Sequence, residues 1–277
     1  ENTDAYYEQV ASEIKNFISN QQYDADKILG ISIATQGITS PDHSTVTYGT
    51  IMGNTGMNVA DFSSRLPWPC HLEHDSKSAA SLELWNHPEL NSAVVFLLNR
   101  NLGGAVIANH QIHQGSSMHS GTIEHMCINP DGPLCYCGNR GCLETYVSAT
   151  GAKRTAFELM ARETVPSVLR DVPYDKFDAR IITEAAQKGD SLALEVFRCT
   201  AERLGRALAN AVAITSSEAV FFFGGLAQAG ELLLEPTRRY LEENLLPVYR
   251  GNVKVLPSGI PAQNAAILGA SALIWNE

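Results

Sequence analysis

One histidine and three cysteines crowd into a short stretch of the chain: His125, Cys135, Cys137 and Cys142. Three thiolates and one imidazole are a donor set that zinc takes in a tetrahedron. Gly138, Asn139 and Gly141 supply turn residues that let a backbone wrap round an ion. All four positions are filled by protein donors, which leaves none for a catalytic water. The ion is therefore expected to be structural and to hold a long loop together. The other cysteines, Cys70, Cys127 and Cys199, are expected to be plain buried thiols. His113 and His119 flank Gly115 with no cysteine left to join them, and read as exposed loop histidines.

Such a loop needs a body to carry it. The chain has 277 residues, 44 % of them apolar and 18 % charged, enough for one large domain or two smaller lobes. Lys plus Arg is 20 and Asp plus Glu is 30, a net charge of -10. That balance does not attract phosphate backbones, and no basic run suggests a nucleic-acid arm. No apolar run reaches the roughly 18 residues of a membrane helix. No secretory signal opens the chain, and a cytoplasmic location is expected.

Asp4 is placed to cap a helix whose apolar face is Tyr7, Val10, Ala11, Ile14, Phe17 and Ile18. Leu29 to Ala34 predicts a buried strand ending in a turn at Gln36-Gly37. Residues 41–69 look loop-rich. Strands are expected to end near Glu73 and to span Ala93 to Leu98 and Gly104 to Ala108, with a turn at Asn109-His110. Ser76 to Leu84 predicts a helix, as do Leu143 to Arg162, Ile181 to Lys188, Leu192 to Val212 and Leu232 to Asn244. Ala219 to Phe223 predicts a strand running into Gly224-Gly225. Val253 to Leu256 predicts the last strand and Ala262 to Ile274 the last helix. Strands alternating with helices predict an α/β architecture.

Gly-Thr-Ile-Glu-His at 121–125, continued by Cys-Tyr-Cys-Gly-Asn-Arg-Gly-Cys-Leu-Glu at 135–144, resembles the signature of the ROK family of bacterial sugar kinases and sugar-responsive repressors. Ile31 to Gly37 resembles the family's strand ending in Pro-Gly. His74 to Glu83 resembles its Asn-Asp-x-Asn-x-Ala-Ala-x-x-Glu helix start. Phe223-Gly224-Gly225 and Ala265 to Ala270 resemble its glycine pair and closing helix. The resemblance implies an actin-like, two-lobed sugar-kinase fold carrying a structural zinc loop. Residues 1–92 with 262–277 would form the small lobe, incomplete at its N-terminal hairpin, and 93–261 the large lobe. It also implies roles. Asp75 stands where the family keeps its catalytic base, either vestigial or a sugar contact. Glu144 matches a sugar-binding glutamate, and His125 a residue that serves metal and sugar at once. Gly37, Asn54, Gly56, His74 and Thr122 join them as expected sugar contacts. Gly103, Gly104, Gly224 and Gly225 would face ATP, with magnesium, if the chain were a kinase.

The chain departs from the kinase pattern at several points. Thr122 replaces a glutamate, and a glutamate stands instead at Glu124, where the family usually has glycine. His74 replaces an asparagine. Asn99-Arg100-Asn101-Leu102-Gly103 replaces a phosphate loop of the form Gly-Thr-Gly-x-Gly, losing glycines whose N–H groups approach phosphate. The hairpin with Asp-x-Gly-x-Thr is nowhere in the 277 residues. Phosphoryl transfer is almost wholly positioning and charge stabilisation, so a cleft that keeps Asp75 without phosphate clamps binds sugar and does no transfer. The expected function is the effector-binding part of a ROK-type transcriptional regulator. A hexose, pentose or amino sugar would bind between the lobes, with DNA read by a helix-turn-helix N-terminal to residue 1. A homodimer or higher oligomer is expected. The alternative is an ATP-dependent hexose or N-acylhexosamine kinase.

Overall fold

Helix α1 (Asp4–Asn20) turns Tyr7, Ala11 and Ile18 inward, at the spacing the sequence predicts. Its cap is Thr3, whose hydroxyl accepts the Tyr6 N–H at 3.3 Å. Asp4, the expected cap, is instead the first helical residue, where its charge suits the positive end of the helix dipole. The structure, a computed structural model, describes residues 2–259 and 265–275. By packing they fall into two units, Glu1–Leu82 with Gln114–Ser120 and Ala265–Glu277, and Glu83–His113 with Gly121–Asn264. The sequence puts the first boundary at 92/93, before an apolar strand; packing moves it to 82/83, inside a helix, and returns 114–120 to the first unit. The boundary expected at 261/262 lies outside the described residues, as do residues 262–264 of the last predicted helix.

In the first unit β1 (Ile31–Thr35) is followed by the short pair β2 (Ile38–Thr39) and β3 (Val46–Tyr48). The stretch 41–69 thus holds β3 and helix α2 (Val59–Ser63), and is less irregular than expected. Strand β4 (Cys70–His74) lies parallel to β1, with Ile31 opposite Cys70 and Thr35 opposite His74. Tyr7, Ala11, Val46, Met57, Phe62 and Leu72 make the core of this unit, and the Tyr7 ring meets Phe62 edge-on at 4.9 Å. Helix α3 (Asp75–Asn86) leaves β4 without a loop. The C-terminal helix, Ala265–Trp275, packs on β1.

The second unit is built on a five-stranded sheet. Strand β5 (Ala93–Leu98) pairs antiparallel with β6 (Leu102–Ala108), and β6 turns through Asn109 and His110, both at positive φ, into β7 (Gln111–Ile112). Four helices follow: α4 (Glu144–Val147), α5 (Ala149–Arg162), α6 (Ala179–Gln187) and α7 (Ser191–Thr215). The single helix expected over Leu143 to Arg162 is broken at Ser148, whose extended backbone and hydroxyl cap α5 by accepting the Gly151 N–H. Strand β8 (Ala219–Phe223), helix α8 (Glu231–Asn244) and β9 (Lys254–Pro257) complete it, in the sheet order β7-β6-β5-β8-β9. Alternate residues of β5, Val94, Phe96 and Leu98, enter one core with Leu204, Leu208 and Phe222. Among the described residues no helix is long and apolar enough to cross a membrane.

One close approach fixes the start of α3. A Cβ built on Gly269 of the C-terminal helix would lie 1.7 Å from the Ser78 carbonyl oxygen. Gly269→Ala should therefore cost about 1–3 kcal/mol, measurable as a lower midpoint of urea unfolding with an unchanged slope.

Candidate functional site

Parallel strands that end in register deliver the segments after them to one place. Thr35 and His74 are partners at the ends of β1 and β4, so the Gln36-Gly37 turn and Asp75 emerge side by side. Asn54, buried, joins this end: its Nδ2 donates to Thr35 Oγ1 at 2.8 Å and to the Gln36 carbonyl at 3.0 Å. Gly37, Asn54, His74 and Asp75 are thereby brought together in the first unit. Gly56 stands in the same loop as Asn54, at positive φ, with its N–H on the Val46 carbonyl.

Asp75 opens α3 and is largely buried, its side chain 19 % exposed. One carboxylate oxygen accepts the Ser76 N–H at 2.7 Å and lies 3.7 Å from His74 Nε2. The other nitrogen of His74, Nδ1, is 2.6 Å from the Ser76 hydroxyl. Burial pushes the Asp75 carboxyl above its ordinary value, against the opposing pull of His74 and the Ser76 N–H. A carboxylate so placed can accept a hydrogen bond from a hydroxyl or take its proton.

In the second unit the loop that carries His125 and the three cysteines is laced by its backbone. Leu143 donates to Met126 and Ile128 to Gly141, so the strands either side of the loop run antiparallel and set His125 near Cys142. A tighter turn, with Cys135 N–H on Asn139 and Gly138 N–H on Cys135, presents Cys135 and Cys137; Gly138 and Gly141 take the positive φ expected of them. The four donor atoms all lie within 4.8 Å of one another. Cys137 Sγ is 3.7 Å from Cys142 Sγ, and Cys135 Sγ is 3.6 Å from His125 Nδ1. A tetrahedral ion with Zn–S near 2.3 Å and Zn–N near 2.0 Å separates its donors by about 3.5–3.8 Å, so this set could hold one. Tyr136, between the two cysteines, sets its ring edge-on to His125 at 5.1 Å, a contact sequence reasoning passed over although an aromatic inside Cys-x-Cys is a visible signal.

The remaining predicted residues of this unit surround the N-terminal end of β6. Glu144 is buried, and its carboxylate accepts the Leu102 N–H; burial raises its carboxyl to about 7. Glu124 is also buried, beside Gly104: a Cβ there would meet Ile123 Cγ1 at 2.4 Å and Glu124 Oε2 at 2.9 Å. Gly103 and Gly104 are strand residues of β6, paired with Leu97 and Phe96. Thr122 precedes a 3-10 turn, Ile123–His125, and does not cap it with its side chain. Gly224 and Gly225 follow β8, which ends in register with β5. There Asn99 Oδ1 accepts the Gly225 N–H at 2.9 Å, and the Asn99 N–H is held by Asn101. A cavity of about 760 Å³ adjoins them, lined also by Arg100, Lys153, Tyr174 and Arg180. Of the other cysteines only Cys70 is buried; Cys127 is exposed and Cys199 half-buried, because each faces outward from a loop or helix.

The ROK family profile matches residues 1–277. This chain belongs to the ROK family. Two curated ROK relatives show its breadth. The DNA-binding transcriptional dual regulator NagC of Escherichia coli is 28 % identical over 265 residues, covering 94 % of this chain and 64 % of the regulator. The glucokinase of Thermotoga maritima is 31 % identical over 210 residues, 73 % of this chain and 65 % of that enzyme. The chain thus spans less than two thirds of the length of either. The ROK glucokinase of Streptomyces griseus, solved with glucose and AMPPNP, superposes with a TM-score of 0.84 at 25 % identity, covering 98 % of this chain and 88 % of the enzyme. The fold is the α/β fold of ROK sugar kinases.

The metal-donor cluster and Asp75 each generate an expectation. Metal analysis of the purified chain should find one equivalent of zinc; chelation, or Cys135→Ser, should lower Tm by several degrees, and the two effects should not add. Asp75→Asn should raise Tm of the free protein at pH 7. The folded-state pKa lies above the unfolded one, so ionisation penalises the fold as pH rises through it. The gain should fade below about pH 4, where both states are protonated.

Proposed function

We propose that this chain is the sugar-binding effector part of a ROK-family transcriptional regulator and performs no phosphoryl transfer. The observation that carries this reading is the state of three N–H groups at the ends of β5, β6 and β8. Asn99 N–H is bonded to Asn101, Leu102 N–H to the Glu144 carboxylate, and Gly225 N–H to the Asn99 side chain. A phosphate clamp needs such donors turned outward toward an anion. Here the chain's own oxygens take them. Asp75, by contrast, keeps a carboxylate with acceptor capacity beyond its Ser76 bond. In this reading Asp75 and His74, with the Gly37 turn, Asn54, Gly56, Thr122, His125 and Glu144, are the sugar-site residues. The ligand is a hexose, pentose or amino sugar. His125 and the three cysteines hold a structural zinc. DNA is contacted by a helix-turn-helix outside these residues, in a cytoplasmic homo-oligomer.

A second reading, an ATP-dependent sugar kinase, is favoured by the identity to the Thermotoga maritima glucokinase and by the 760 Å³ cavity beside Gly225. Gly103, Gly104, Gly224 and Gly225 would then lie toward Mg-ATP.

A thermal-shift screen with glucose, xylose, N-acetylglucosamine and N-acetylmannosamine separates these. A bound sugar at 100 times its Kd adds about 2.7 kcal/mol. One sugar should stabilise the chain, the shift should vanish in Asp75→Ala, and Mg-ATP should yield no ADP in its presence. Sugar-dependent ADP formation would install the kinase reading; the absence of a shift with every sugar would remove both.

A further inference from the structure

Segment 114–120 groups with the first unit, although the residues on either side of it, His113 and Gly121, group with the second. What holds it is a buried lysine. Lys77, in the first turn of α3 and 5 % exposed, donates from Nζ to Gln114 Oε1 at 2.5 Å and to the Met118 carbonyl at 2.6 Å. The segment also closes on itself, with the Ser120 N–H on the Gln114 carbonyl at 3.1 Å, and carries positive φ at Gly115 and Met118. His119 reaches Thr47 at 3.5 Å. An ammonium is buried only where acceptors replace its water. The loop supplies those acceptors in its closed form alone, since Gln114 and Met118 lie four residues apart. Lysine and closed loop therefore depend on each other.

The position of this clasp gives it a further consequence. Lys77 stands two residues after Asp75 on the same rigid helical turn. The loop it grips runs directly into Gly121-Thr122 and, five residues after Ser120, into His125. One side chain thus ties the helix start bearing the proposed hydroxyl acceptor to the segment leading to the proposed contacts Thr122 and His125. We propose that Lys77 is a positioning residue for sugar binding: it holds the 114–120 loop closed against the start of α3 before the sugar arrives. This rests on the sugar-binding reading above. A loop ordered in advance spares the ligand the entropy of ordering it.

The test is hydrogen exchange at the Ser120 amide combined with sugar titration, using glucose, xylose, N-acetylglucosamine and N-acetylmannosamine on the wild type, Lys77→Met and Gln114→Ala. Lys77→Met should speed Ser120 exchange about tenfold or more, with Gln114→Ala between it and wild type. Sugar affinity should fall by a similar factor, about tenfold, and saturating sugar should restore slow exchange in the variants. Zinc content should stay the same in all three. A purely structural lysine would change exchange without changing affinity, and sugar would not restore protection; that result overturns the positioning role. Unchanged Ser120 exchange in both variants overturns the clasp itself. Absence of binding by the wild type overturns the sugar reading, and the positioning role with it, while the exchange arm still reports on the clasp. Should Lys77→Met fail to fold, Gln114→Ala, which leaves the lysine in place, decides the same questions.

Discussion

Parallel pairing constrains this molecule more than any single contact. Two parallel strands in register must finish together, and whatever follows each is delivered to the same edge. Thr35 opposite His74 does this in one unit, and Leu97 opposite Phe223 in the other. Some of the expected site residues of each unit collect at those edges: Gly37, Asn54, His74 and Asp75 at one, Gly224 and Gly225, beside Asn99, at the other. The helices that cover the sheets hold the strands in that register, through cores such as Val94, Phe96, Leu204 and Phe222.

The two edges differ in how their polar groups are used. At the first, the buried Asp75 carboxylate is engaged by one N–H and a neighbouring imidazole, and its raised pKa records the loss of water. Burying the charged form of that carboxylate costs some stability. At the second, Asn99 and Glu144 close the turn ends on themselves. The Asn99 side chain supplies the internal bond of this turn by accepting the Gly225 N–H.

The cysteine-rich loop and the lysine-held loop are both irregular backbone with polar or sulfur groups gathered at close range. The first gathers three thiols and one imidazole within 4.8 Å, a set that could hold one cation. The second uses a cation belonging to the chain, Lys77, gripped by an amide and a carbonyl. Both loops flank the short run from Gly121 to His125, whose own packing depends on the missing side chain of Gly104.

Local pattern was enough for much of this. His125 and the three cysteines, the Asn109-His110 turn and the strand at Ala93 to Leu98 follow from residue types and spacing, because ligand chemistry, turn stereochemistry and strand periodicity act over a few neighbours; the family came from the resemblance of its motifs. Cap and boundary details were less legible: Thr3 displaced Asp4, and Ser148 split a predicted helix, since several candidates compete within one turn. Long-range placement was out of reach. The sequence marks Glu144 and Glu124 as acidic, but only packing decides that both are buried against β6. It shows Lys77 as one more charge on a helix, and only the fold brings residues 37 and 41 positions away to its ammonium. Sequence determined which groups are present and how neighbours turn; tertiary structure decided which charges lose their water and who replaces it, because desolvation depends on everything nearby in space.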